Sequence, residues 1–170
     1  MNKIKKEKGF TIIEVVLVLA IAGLIFLMVF IALPSLQKSQ RDAQRKSDLS
    51  RIQTQITAYA NNNRGAVPSS LITTSGTPSR SFVQKYLSGT SASVSGTDFA
   101  DPATGSGYTF LAAGNAPAVF AAGSSAQIGY QAGRVCGTDG TFTATGASAR
   151  SYALLIALES QSTPFCLDTR

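Results

Sequence analysis

The first strong pattern along the chain is a long apolar run. Residues 10–33 carry one charge, Glu14, and residues 15–33 carry none. At about 1.5 Å of rise per residue the run spans about 36 Å as a helix, enough to cross a hydrocarbon layer of about 30 Å. A helix in a soluble core seldom stays apolar on every face for so long. A cleaved secretory signal is the competing reading, but its apolar region is about 7–15 residues long and closes on a small-x-small site. This run is longer and ends Phe30-Ile31-Ala32-Leu33-Pro34. A retained helix is therefore expected.

Beyond Pro34 the pattern changes period rather than stopping. Leu49, Ile52, Ile56 and Tyr59 recur at the spacing of one helical face, with Leu36 and Ala43 preceding them less regularly. Asp42 and Lys46 stand at i,i+4 in the favourable order. A proline inside a helix clashes with the carbonyl four residues back, so Pro34 is expected to kink the helix rather than end it. Gly23 is a second weak point, since glycine costs about 1 kcal/mol relative to alanine. The pattern predicts one bent helix from Phe10 to about Ala60, roughly 75 Å long at the same rise. Asn61-Asn62-Asn63-Arg64-Gly65 ends it and Pro68 keeps it ended. A small domain cannot bury such a helix, so its apolar half belongs in lipid or against other copies of the chain.

The remainder, residues 62–170, is rich in Gly, Ser, Thr and Ala and reads as strands and turns. Residues 81–87 suggest a short helix with Phe82, Val83, Tyr86 and Leu87 inward, and residues 98–107 a loop. Candidate strands are 108–112, 118–121, 126–130, 141–145 and 152–158, the last being the strongest in bulk. The expected arrangement is α+β: an antiparallel sheet with one face packed on the Leu49–Tyr59 stripe. Such a head is small and hard to stabilise without the helix.

Charge sharpens this picture. The 170 residues carry a formal net charge of +6, and charged residues are 14% of the chain. The excess is concentrated at Lys3, Lys5, Lys6 and Lys8 before the apolar run and at Lys38, Arg41, Arg45, Lys46 and Arg51 after it. The leading lysines place the N-terminus in the cytoplasm and the head outside. The pattern is a membrane flank and gives no strong nucleic-acid signal. The 38–51 stretch reads either as a solvated helix face or as a surface that pairs with acidic groups of neighbouring copies.

Candidate chemistry is sparse. There is no His and there are two Cys, which excludes imidazole catalysis and Cys-rich metal sites. Gly105-Ser106-Gly107 follows a loop rather than a strand, so it is no dinucleotide fingerprint. Asp98, Asp101 and Asp139 read as solvated turn residues. They would bind calcium only with a suitable loop geometry. No enzyme constellation, cofactor site or metal site is expected.

Glu14 is the informative residue. A carboxylate inside an apolar helix costs about 3 kcal/mol at mid-membrane and less near the interface. Glu14 either snorkels to that interface or finds a cation. Lys8-Gly9-Phe10-Thr11-Ile12-Ile13-Glu14, after a lysine-rich leader and opening the apolar run, resembles the class III signal of type IV pilins and of their pseudopilin relatives. The resemblance implies cleavage between Gly9 and Phe10 by a prepilin peptidase, and N-methylation of Phe10 by the same enzyme. It makes Glu14 the carboxylate that helps add subunits to a filament, paired with the Phe10 amine of another copy. The implied organisation is a leader at 1–9, a transmembrane and filament-core half-helix at 10–33, an amphipathic half-helix at 34–61 and a β-rich head at 62–170. The implied partners are the membrane, an assembly platform and other copies of the chain. The subunit would sit in the cytoplasmic membrane before assembly and in an extracellular filament afterwards.

One feature departs from the family pattern. Its helices often carry a Pro nearer the middle of the apolar run, whereas the first Pro here is Pro34. Any local weakness would then fall at Gly23 or Pro34. Two cysteines in an extracytoplasmic head pair by default, and a Cys136–Cys166 bridge resembles the C-terminal disulfide loop of many pilins, with two unpaired thiols as the alternative. The leading reading is a structural pilus subunit. A pseudopilin of a secretion or DNA-uptake system comes second, and a plain single-span membrane protein with a binding head third.

Overall fold

The computed structural model describes residues 9–72, 82–87, 99–111 and 127–169. The long helix is present as α1, Ile12–Asn62, and it runs through both Gly23 and Pro34. Neither residue ends it. Its end is built where the Asn/Gly run placed it. Arg64 and Gly65 turn left-handed, at φ 56° and 82°, and the Gly65 amide reaches back to the Ala60 carbonyl at 2.7 Å. The Asn63 side chain covers the Tyr59 carbonyl at 2.7 Å. Glycine carries the left-handed conformation without steric cost, and Arg64 adopts it as the residue just past the helix.

Internal contacts divide the chain between Gln37 and Lys38 into two compact units. In the first, the large apolar side chains find no cover. Their exposure runs from 48% at Val15 and Leu33 to 85% at Phe10 and Ile12.

The second unit contains the core. The expected stripe is there: Leu49, Ile52 and Ile56 are fully buried and Tyr59 packs beside them. Against them lie α2 (Phe82–Tyr86) and a four-stranded sheet in the order β1 (Thr109–Phe110), β2 (Gln127–Ala132), β5 (Tyr152–Ile156), β6 (Phe165–Asp168). Phe82, Val83 and Leu87 point inward as predicted, with Tyr86 half-buried in a ring cluster with Tyr59 and Phe82. Within the central strand β5, Tyr152, Leu154 and Ile156 join the helix-side core. Ala153 and Leu155 face the other way and are equally buried. That second face is covered in part by a two-stranded ribbon of β3 (Val135–Cys136) and β4 (Phe142–Thr143), with Val135 fully buried. Tyr130, buried on β2, donates its hydroxyl to the Pro68 carbonyl and ties the chain leaving α1 to the sheet.

Three expectations need correction. The sheet is mixed, because β1 pairs with β2 in parallel while β2/β5 and β5/β6 are antiparallel. A parallel neighbour requires a crossover of about a dozen residues or more, and residues 111–126 supply that length. The 141–145 segment contributes only Phe142 and Thr143, and to the ribbon rather than to the sheet. The chain after Pro164 is an edge strand, which its composition did not announce. The expected strand at 118–121, together with Ser81 and Asp98, lies outside the described residues.

Cys136 and Cys166 form a disulfide, with their Cα atoms 5.8 Å apart, and join the ribbon to β6. The closed loop contains β4 and β5. Closure of a loop this long is worth about 3–4 kcal/mol in chain entropy. The Cys136→Ala/Cys166→Ala variant is therefore expected to lose about 3–4 kcal/mol in denaturant unfolding of the full chain in detergent micelles. Reduced wild-type protein should melt with the variant and below the oxidised protein.

Candidate functional site

Two groups of residues carry functional interest, one in each unit. In the first, Gly9 and Phe10 precede the helix and are exposed, with open space around Gly9. Thr11 caps α1. Its carbonyl accepts the Glu14 amide at 3.2 Å and the Val15 amide at 3.3 Å, and its hydroxyl lies 3.4 Å from Glu14 Oε2. Thr11 and Glu14 thus stand at the spacing of a Thr-x-x-Glu capping pair, joined by that single hydroxyl–carboxylate contact. A carboxylate in a first turn is also favoured by the helix dipole. Ile12, Ile13, Val16 and Leu17 around it are all more than half exposed. Glu14 is therefore an ordered, exposed carboxylate on an otherwise apolar surface. Among the described residues nothing approaches Gly23 closely enough to demand a glycine there.

The second group is a buried charge cluster. Arg45 is fully buried on α1. Its guanidinium reaches Asp101 Oδ1 at 2.7 and 2.9 Å, Asp42 Oδ1 at 3.0 Å and Glu159 Oε1 at 2.9 Å. Arg41 grips Glu159 through two parallel bonds of 2.7 and 2.8 Å. Asp42 accepts the backbone amides of Glu159 and Ser160, both at 2.9 Å. One turn further on, Asp48 accepts the Tyr108 hydroxyl at 2.8 Å and Arg51 at 3.3 Å, and Arg51 lies over the Phe99 ring. No buried side-chain nitrogen or oxygen among the described residues lacks a hydrogen-bond partner.

These bonds set the electrostatics. Burial opposes the charge on Asp42, but hydrogen bonds from Ser160, Glu159 and Arg45 outweigh it and hold the carboxyl below its ordinary range. The Arg41 bond holds Glu159 low against burial, with Arg45 adding to it. Burial and then the Asp48 bond push the Tyr108 hydroxyl up.

The cluster corrects the solvated reading of the 38–51 stretch at two positions: Arg41 and Arg45 pair within the chain, Arg45 fully buried. Asp42 bonds Arg45 instead of Lys46, whose ammonium lies over the Phe165 ring. Asp101 is likewise no solvated turn residue, being fully buried on Arg45. A sequence signal existed. Stepping back from Leu49 by four and then three residues reaches Arg45 and Asp42, so the apolar stripe continues as a charged one on the same face. Asp139 is exposed, and its carboxyl is held low by the Thr141 hydroxyl. Among the described residues no group of three or more His, Cys, Asp and Glu is placed to hold a metal ion.

Residues 4–30 match the model of the prokaryotic N-terminal methylation motif, the hallmark of type IV pilin-like proteins. The match covers residues on either side of the start of α1 and none of residues 31–170. No curated protein and no solved structure matches the chain.

Removing one partner of a buried ion pair strands the others, at about 3–5 kcal/mol. Arg45→Ala is expected to destabilise the head by about that amount. Lys46→Ala, which loses one ring contact, should cost under about 1 kcal/mol. Thermal or denaturant unfolding of the two variants side by side checks the contrast.

Proposed function

We propose that this protein is a structural subunit of a type IV pilus. A prepilin peptidase cuts between Gly9 and Phe10, and the Phe10 amine is then methylated. Residues 10–33 hold the subunit in the cytoplasmic membrane with the head outside. An assembly platform then moves it into a filament, where residues 10–33 pack against other copies and the 62–170 head faces solvent. The 34–61 half-helix links the two.

The observation that carries this reading is the combination at the start of α1. The methylation motif opens a helix whose apolar side chains are exposed all round. That surface needs lipid or neighbouring helices, since leaving a large apolar side chain in water forgoes about 1.5–3 kcal/mol. Within it Glu14 is the one charged side chain. A cationic terminal amine on a neighbouring subunit is the partner that removes the cost of burying it, and methylation leaves that amine charged. The Cys136–Cys166 loop supports a pilus subunit over a pseudopilin, the second reading, because it resembles the C-terminal loop of pilins.

The N-terminal peptide of the natively expressed protein should begin at Phe10 with one added methyl group, read by mass spectrometry. A chain still beginning at Met1, or cut beyond Leu33, overturns the proposal. Glu14→Gln should keep the helix start, because the first-turn bonds to the Thr11 carbonyl come from the backbone, yet prevent incorporation into sheared filaments. Normal filaments from Glu14→Gln would overturn the assembly role of Glu14.

A further inference from the structure

The arginines described in the second unit fall into two sets. Arg41, Arg45 and Arg51, all on α1, are paired with carboxylates. Arg64, Arg134 and Arg150 lie far apart in sequence, and among the described residues no ion pair takes up any of them. Arg64 and Arg150 are exposed and Arg134 is half-buried. The fold gathers these three at one end of the head. Arg64 stands in the left-handed turn that follows α1. The Arg150 side chain reaches the same turn, with Nε 3.4 Å and Cζ 3.5 Å from the point where a Cβ on Gly65 would stand. β2 and β5 pair as far as Ala132 opposite Tyr152, and one residue further the Gly133 amide donates to the Ser151 carbonyl at 2.7 Å. Arg134 and Arg150 are the next residues outward on those two chains.

We propose that Arg64, Arg134 and Arg150 form a docking surface for the phosphodiester backbone of double-stranded nucleic acid, held through charge. Guanidinium keeps its charge at every accessible pH, and its planar fork of donors matches two phosphate oxygens at once. A duplex carries one negative charge per about 1.7 Å of axis, so a cluster of three cations meets several phosphates together. The approach is open. Residues 144–151, leading into β5, are Ala, Thr, Gly and Ser apart from Arg150, and most are exposed. The Ser148 and Ser151 hydroxyls, 2.9 Å apart, are short polar groups of the kind that contact phosphate. None of these residues is aromatic. The segment therefore lacks the platform on which unpaired bases stack, and it suits a duplex.

Asp168 stands at the same end of the sheet, but its Oδ2 accepts the Cys136 amide at 2.8 Å on the side of the ribbon, whereas Arg150 lies against the turn after α1. A cation there is also favoured by the carbonyl end of the helix. That local role concerns stability and is separable from binding by experiment. The sequence shows no basic run at this surface, because its three cations come from the end of a helix and from two strands. The inference uses the geometry of the head alone and stands independently of the filament reading.

The test is fluorescence anisotropy of a labelled DNA duplex of about 20 base pairs, titrated with the full chain in non-ionic detergent micelles at several salt concentrations. Three phosphate contacts contribute about −2.7 to the slope of log affinity against log salt, so their share of binding weakens about 40-fold between about 50 and about 200 mM. The triple variant Arg64→Gln/Arg134→Gln/Arg150→Gln should lose that part of the slope, and each single variant about one unit of it. The triple Arg→Lys variant should keep it, since the charges remain. Lys3→Gln/Lys5→Gln/Lys6→Gln/Lys8→Gln, which alters only the leader, should leave the arginine-dependent part unchanged. Thermal unfolding of each variant checks that the head is folded. Absence of binding, a triple Gln variant that matches wild type, or equal loss in the Lys variant would overturn the proposal. So would a lowered melting temperature with unchanged binding, which assigns the arginines to the helix end, and tighter binding of single strands than of duplex at equal phosphate.

Discussion

The seating of the Leu49–Ile52–Ile56 face of α1 on the sheet is the contact on which the head depends. The sheet offers Phe110, Ile128, Tyr130, Tyr152, Leu154 and Ile156 on that side, and the helix supplies the opposing wall. The sheet's strands are short, from two residues in β1 to six in β2, and such a sheet has little stability without a packed partner. The Tyr130 bond to Pro68, the left-handed turn at Arg64 and Gly65, and the disulfide between the ribbon and β6 all hold chain that this packing has brought into place.

The same helical face changes chemistry where its cover changes. Next to the sheet it meets pleated apolar side chains and is apolar. Toward Asp42 it meets a turn and a corner, whose backbone amides need acceptors that an aliphatic face lacks. Asp42 supplies them to Glu159 and Ser160. Burying that carboxylate then demands a cation, and Arg45 supplies it to three acids at once. Ion pairs of this kind add less net stability than an apolar fill of the same volume, but they fix position through directional bonds. Loop anchoring suits that exchange.

The first part of α1 obeys the opposite rule. Its large apolar side chains are exposed on every face within that unit. The methylation motif and this exposed apolar surface agree on a helix suited to anchoring in a membrane. Glu14 touches the Thr11 hydroxyl at the helix start, and it carries a charge into a surface that otherwise has none.

Much of this was legible in the sequence. An apolar run without a period, then a stripe at helical spacing, specifies a long helix and its buried face, because helix geometry is local and repeats every few residues. The Asn/Gly terminus, the leader motif and β5 were legible for the same reason, each being a short pattern whose physics is complete within it. The parallel pairing of β1, the edge strand β6 and the ribbon of β3 and β4 were not, since strand partners are chosen across the fold and strands this short carry no period. Arg45 shows the boundary most clearly. Its place on the buried face was written in its spacing from Leu49. That Asp101 and Glu159, from a turn and a corner far along the chain, would converge on it depended on the folded topology, because charge pairing across a fold leaves no mark in the local sequence of either partner.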